Sequence, residues 1–120
     1  MKPSPDVSAI LDSITHTYYQ AKSVLDDKLG AKGYRIIAEK YNPEVFGSRW
    51  AVWSNDKDAI RFIWDGRNNL FYLQALDKPP VDYRDTWRDL IEVPYDPRKH
   101  DQGFANGIPG ELISSLGFGE

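Results

Sequence analysis

The spacing of apolar positions changes at Tyr34. Before it, Val7, Ile10, Leu11, Ile14, Tyr18, Ala21, Leu25 and Leu29 recur at steps of three and four. Such steps place side chains on one stripe of an amphipathic helix. Ser4-Pro5-Asp6 suits its start: a serine to cap, a proline for the first helical position, an acid to complement the dipole. Gly30 is expected as the residue that stops it, and Gly33 closes the linker. Asp12, Gln20, Asp26, Asp27 and Lys28 fall on the opposite, solvated face.

From Tyr34 the runs are short, β-branched and aromatic, and turn residues separate them. Tyr34–Lys40 reads as a first strand, Phe46–Ser54 as a second, Ala59–Trp64 as a third and Leu70–Leu76 as a fourth. The intervening turns are Tyr41-Asn42-Pro43-Glu44, Asn55-Asp56-Lys57-Asp58 and Asp65-Gly66-Arg67-Asn68-Asn69. Short connections make sequential strands neighbours, which gives the order 1-2-3-4. Alternation puts Ile60, Phe62 and Trp64 on one side of strand three, with Arg61 and Ile63 on the other. Trp50 and Val52 likewise oppose Ala51 and Trp53. No strand has a wholly polar side, so both sheet faces need cover. One helix covers one face, and the other calls for the C-terminal segment, a second subunit or a binding partner.

Asp77-Lys78-Pro79-Pro80 ends the meander. Asp82 or Asp85 is placed to cap a short helix carrying Trp87, Leu90 and Ile91, which Pro94 would end. Residues 94–107 are rich in Pro, Asp, Gly and Asn and read as an irregular loop. Pro109 opens a last short helix with Leu112, Ile113 and Leu116 inward and Gly117 as its stop. The expectation is one α+β domain over residues 1–120: an N-terminal helix, a four-stranded antiparallel meander and two short C-terminal helices.

Charge narrows the partners. Residues 1–60 hold eight basic and eight acidic side chains, and residues 61–120 hold seven and ten, so the net −3 is C-terminal. Nucleic acids call for a concentrated basic stripe, which this sequence lacks, so none is expected. The absence of cysteine removes disulfides, thiolate nucleophiles and sulfur-ligated zinc. The N-terminus lacks the apolar core of a signal peptide, and no apolar run approaches membrane-spanning length. A cytoplasmic location without membrane contact is expected.

The chain is poor in recognisable catalytic chemistry. His16 lies off the helix stripe and His100 sits in Arg98-Lys99-His100-Asp101, so the two make no metal pair by spacing. No phosphate-binding glycine loop or nucleophile elbow occurs, and Gly103, Gly107 and Gly110 punctuate a loop. Ser48 and Ser54 have no identifiable histidine partner. Asp65-Gly66 is a turn pair that Arg61 and Arg67 flank, better suited to an ion pair than to acid catalysis. Asp82, Asp85, Asp89, Glu92 and Asp96 alternate with Arg84, Arg88, Arg98 and Lys99, at helical spacings that favour mutual neutralisation. No catalytic residue, metal or cofactor is expected. What stands out is Trp50, Trp53, Trp64 and Trp87 with Phe71 and Tyr72. Most fill a core, yet Trp, Tyr and Arg are also the residue types enriched at interface hot spots.

A helix followed by Gly33-Tyr34-Arg35-Ile36-Ile37, Asn42-Pro43-Glu44-Val45-Phe46-Gly47-Ser48 and Ile60-Arg61-Phe62-Ile63-Trp64-Asp65-Gly66 resembles small bacterial immunity proteins of polymorphic toxin systems. The resemblance covers roughly residues 24–76. It implies a non-enzymatic protein that neutralises a toxin by tight binding, and it transfers no binding residue. The contact residues expected from the acidic excess and the aromatic content are Trp53, Trp87, Asp85, Asp89 and Glu92. Two alternatives stand beside this reading. One is a ligand-binding domain or enzyme with a pocket between the sheet and residues 94–107, using His100, Asp101 and Asp65. The other is a homo-oligomeric subunit, such as a homodimer that buries the second sheet face.

Overall fold

The computed structural model describes residues 5–81 and 84–95, with side chains from Ile14 onward. One helix, α1 (Pro5–Gly30), leads into β1 (Arg35–Asn42), β2 (Ser48–Ser54), β3 (Ala59–Asp65), β4 (Leu70–Leu76) and β5 (Arg88–Pro94). The strands form one antiparallel sheet in the order β1-β2-β3-β4-β5. This is an α+β fold with a meander one strand longer than expected.

The helix stripe is the one the spacing defines. Ile14, Tyr18, Ala21, Leu25 and Leu29 are buried against Ala51, Trp53, Ile60, Phe62, Trp64, Phe71, Leu73, Ala75 and Val93. Tyr18 stacks on Phe62 at 4.9 Å between centroids, and Phe62 on Phe71 at 5.9 Å. Offset ring contacts of this kind add to the burial of the rings. Val7, Ile10 and Leu11 lie outside the side chains described.

The helix ends at Gly30, but the left-handed residue that caps it is Gly33. Gly33 has φ +88°, its N–H donates to Gly30 O, and Tyr34 N–H reaches back to Leu29 O at 3.0 Å. Those two bonds and a left-handed glycine make a Schellman cap with Gly33 as its C′ residue. Tyr34 and Leu29 then meet in the core.

The expected helix around Trp87 is a strand. A bulge explains the misreading. Leu73 pairs with Ile91 and Gln74 with Asp89, so Leu90 is the extra residue of β5. The bulge brings both Leu90 and Ile91 against the core, which leaves Trp87, Leu90 and Ile91 at spacings that mimic a helix. Pro94 is tolerated because β5 is an edge strand. Asp85 accepts Val81 N–H and pairs with Lys78 to shape the β4–β5 connection, so it caps no helix. Asp82, and the last helix drawn from Pro109 with Leu112, Ile113 and Leu116, lie outside the described residues.

The second sheet face has a smaller cover. Val52, Ala59 and Leu76 are buried there, with Trp50 and Trp87 packed against them. Across it runs one polar ladder: Arg61 donates twice to Gln74 Oε1, and Gln74 Nε2 donates to Asp89 at 2.8 Å. The Arg61 guanidinium lies 4.4 Å from the Trp87 ring. Burial lowers the Arg61 pKa, and Asp89 opposes that shift. Among the described residues no helix is long and apolar enough to cross a membrane.

Trp53 is fully buried, and its indole N–H donates to Asp26 Oδ1 at 2.9 Å. Asp26 therefore ties α1 to β2 and is more than a solvated acid. Asp26→Ala strands a buried donor, so we expect a loss of about 1–2 kcal/mol in urea unfolding. Asp26→Asn keeps an acceptor and should lose less.

Candidate binding groove

The helix packs over β2 to β5 and leaves β1 beside it. Seven of the eight β1 residues are exposed on a burial pattern with Asn42 alone half-buried. Between α1 and the helix-side surface of β1 and β2 runs a groove in three sections. Tyr19, Lys22, Ser23, Asp26, Ile36 and Glu39 line about 310 Å³ at one end. The middle is a cleft of about 340 Å³ whose walls include Tyr18, Tyr19, Lys22, Glu39, Tyr41 and Arg49. The far section, about 220 Å³, has Ile14, Tyr41, Phe46, Arg49, Trp64 and Gly66 around it. Tyr19, Lys22 and Glu39 belong to the first two sections, and Tyr41 and Arg49 to the last two.

Arg49 is the centre of the groove. It faces Tyr41 across the β1–β2 ladder, with the guanidinium 4.3 Å from that ring. Tyr19 and Tyr18 of α1 flank it at 5.3 and 5.7 Å, and its Nη1 donates to Tyr19 Oη at 2.9 Å. Three rings therefore surround the cation at cation–π distance. Burial raises the Tyr18 pKa, with Glu39 and Tyr19 adding to the rise and Arg49 opposing it. Tyr18 is thus a neutral phenol at any ordinary pH. Lys22 is tied to Glu39 in an ion pair that straps α1 to β1. Among the described residues Arg49 has no carboxylate partner.

The β1–β2 turn supplies an aromatic tip. Phe46 and Gly47 both have positive φ, +57° and +71°, and Ser48 N–H closes the turn on Val45 O at 3.0 Å. Two successive left-handed residues define a primed turn, which is why β2 starts at Ser48 and not at Phe46. A phenylalanine in that region is strained, yet Phe46 is 66% exposed. The Arg67 guanidinium lies 5.2 Å from its ring. Gly66 backs the turn: a Cβ there would sit 1.8 Å from Phe46 O.

The residues expected to bind a partner are scattered. Trp53 is a core residue and presents no surface. The Asp85 side chain is 7% exposed and structural. Asp89 and Glu92 are exposed and stand opposite Gln74 and Tyr72 on the second sheet face. Trp87 is half-buried beneath Arg61 on that same face. The structure thus brings Trp87, Asp89 and Glu92 together and separates them from Trp53. Tyr19, Tyr41, Phe46 and Arg49 were not singled out from the sequence. The available signal was the pair Phe46-Gly47 as a turn, together with a tyrosine and an arginine at each end of that connection.

The pocket residues of the alternative reading do not assemble. Asp65 folds its own turn: it accepts Arg67 N–H at 3.0 Å, the Asn68 amide and side chain, and Tyr72 Oη–H at 2.6 Å. Arg61 turns to Gln74 and Arg67 to Phe46, so neither forms the expected ion pair with Asp65. His100, Asp101 and the 94–107 pocket lie outside the described residues, as do Gly103, Gly107 and Gly110. His16 is exposed on α1. Among the described residues no group of three or more histidines or acids is placed to hold a metal ion.

No protein-family model matches the chain, and neither a curated protein nor a solved structure matches it.

Two outcomes follow from the turns. Gly66→Ala forces the β1–β2 turn off its support and should cost at least about 2 kcal/mol in thermal or urea unfolding. For Asp65, burial opposes ionisation, but hydrogen bonds from Tyr72, Asn68 and the Asn68 and Arg67 amides outweigh it and depress the pKa. The depressed value makes the carboxylate stabilising above its unfolded pKa of about 4, and that contribution is lost as pH falls through the folded value. Asp65→Asn should therefore be less stable than the parent at pH 7 and close to it at pH 2, by urea unfolding at each pH.

Proposed function

We propose that this chain is a non-enzymatic protein-binding domain, in its most specific form an immunity-type inhibitor that occludes the surface of a cognate bacterial toxin in the cytoplasm. The observation that carries the reading is the exposed series Ile36, Tyr41 and Phe46 along the groove, with Tyr19 on its helix wall. Large apolar side chains gathered on one surface mark contact sites in soluble proteins. Tyr and Arg, the groove's central residues, are enriched at hot spots. Phe46 adds a second support, because a strained backbone holding an exposed ring is the pattern of a functional position. The resemblance to immunity proteins supplies the toxin as the partner class. The acidic Asp89 and Glu92 beside Trp87 offer a further contact region on the opposite face.

A second reading has one observation in its favour. β1 is an eight-residue edge strand whose outer side no described strand covers. Unpaired edges template pairing with another chain, so two copies pairing at β1 would make a homodimer. Light scattering at micromolar concentration separates the readings, since the inhibitor reading expects a monomer without its partner.

The flanking open reading frame provides the direct test. Expressed alone it should arrest growth, and co-expression of this chain should restore it through a complex that co-purifies. Phe46→Gly should weaken that complex at least about tenfold, the loss expected of a hot-spot ring. The same change should leave stability equal or raise it by about 1 kcal/mol, because glycine relieves the left-handed strain. Harmless neighbours, or a Phe46→Gly protein that binds unchanged, would overturn the assignment.

A further inference from the structure

We infer that the middle of the groove receives a carboxylate of the partner: an aspartate or glutamate with an apolar side chain close by in an extended segment. This rests on the protein-binding reading and names the chemistry the partner presents. Two cations, Lys22 and Arg49, face the cleft against one acid, Glu39, while Lys40 borders it from the position paired with Trp50, on the other sheet face. That excess of positive charge sits in a chain of net charge −3, so it is a local feature. Glu39 is committed to Lys22, which leaves Arg49 as the cation without a carboxylate.

Arg49 is also preorganised. The rings of Tyr41, Tyr19 and Tyr18, at 4.3, 5.3 and 5.7 Å, crowd the guanidinium and restrict its movement, and a single hydrogen bond to Tyr19 uses few of its five donors. A planar fork already held in place matches a carboxylate with two parallel bonds, and little side-chain entropy remains to be lost on binding.

The neighbouring section says what lies next to the acid. It shares Tyr41 and Arg49 with the cleft and is floored by Ile14 and Trp64, with Phe46 at its rim. In an extended segment, side chains on one face repeat every two residues, roughly 7 Å apart. An acid on Arg49 then sets the next side chain but one into the apolar section. A nucleic-acid backbone fits less well, because it needs a line of cations to release counterions, and here one of the two, Lys22, is neutralised by Glu39.

The probe is the pentapeptide acetyl-Ala-Asp-Ala-Phe-Ala-amide, compared with its Asn-for-Asp counterpart, titrated into the isotopically labelled full chain and followed by NMR. The acidic peptide should shift the Tyr19 and Tyr41 amides and the Arg49 Nε–H with a millimolar midpoint. The Asn peptide should bind at least about tenfold more weakly, the ratio expected when a charge-assisted bond is lost. Arg49→Gln should erase the discrimination, and Lys40→Gln, a change at the rim, should reduce it by less. Should Arg49→Gln unfold, the two peptides on the parent chain and on Lys40→Gln decide the matter.

Equal binding of the two peptides, shifts confined to β5, no saturable shift, or tighter binding of inorganic phosphate or oligothymidylate would each overturn the inference. The peptide comparison needs no toxin, so a failed rescue of growth leaves it standing. Conversely, a toxin bound equally by the parent and by Arg49→Gln would sink the carboxylate while keeping the protein-binding reading.

Discussion

One helix has to serve a sheet wider than itself. A helix with its side chains is about 10 Å across, whereas four strand spacings of about 4.8 Å set the outer strands of this sheet roughly 19 Å apart. The apolar stripe of α1 settles over β2, β3, β4 and β5, where Trp53, Phe62, Phe71 and Val93 are fully or almost fully buried. β1 is then left beside the helix instead of beneath it. The groove, its exposed residues and its unpaired strand edge all follow from that arrangement. The Asp26–Trp53 and Arg49–Tyr19 hydrogen bonds and the Lys22–Glu39 strap hold the helix at this lateral position, so the width of the groove depends on three polar contacts that α1 makes outside its apolar stripe.

The same constraint sorts the charges. On the face that α1 covers, the uncovered margin collects Lys22 and Arg49. On the other face Arg61 is absorbed by Gln74 and Trp87, which leaves Asp89 and Glu92 outward at the β5 side. The two edges of one sheet thus carry different chemistry, although the sequence shows only a slight acidic excess in its second half. Net charge alone is a poor guide to a contact surface when cross-strand pairing decides which charges are used internally.

Much of the fold was legible because period and turn chemistry agree from Ile14 to Leu29 and from Ser48 to Leu76, whereas the turn expected at Tyr41–Glu44 begins inside β1, which runs to Asn42. The stripe, the strand faces and the turns at Asn55–Asp58 and Asp65–Asn69 need only local rules. What escaped the sequence shares one cause, a backbone that breaks the period. The β5 bulge at Leu90 counterfeits helical spacing, the left-handed cap of α1 falls at Gly33 and not at Gly30, and the left-handed Phe46 looks like the start of a strand. The candidate site was less legible. Trp53 is conspicuous by size yet buried, whereas Arg49, Tyr19 and Tyr41 are ordinary residues that only the helix–sheet docking brings together.

That contrast says where function resides in a fold of this kind. Asp65 has many hydrogen-bond partners, and all of them belong to its own turn, so none is left over for chemistry. Arg49 is the reverse case: three rings crowd its guanidinium while most of its donors are not engaged. Packing therefore fixes its position without satisfying its polarity. A buried or half-buried group in that condition gains most from a ligand that supplies the missing acceptors, because its geometry is already set. Phe46 is the apolar counterpart, held in a costly backbone conformation with its ring in solvent. The two line one section of about 220 Å³, which places an unsatisfied cation and an uncovered ring within reach of a single bound segment.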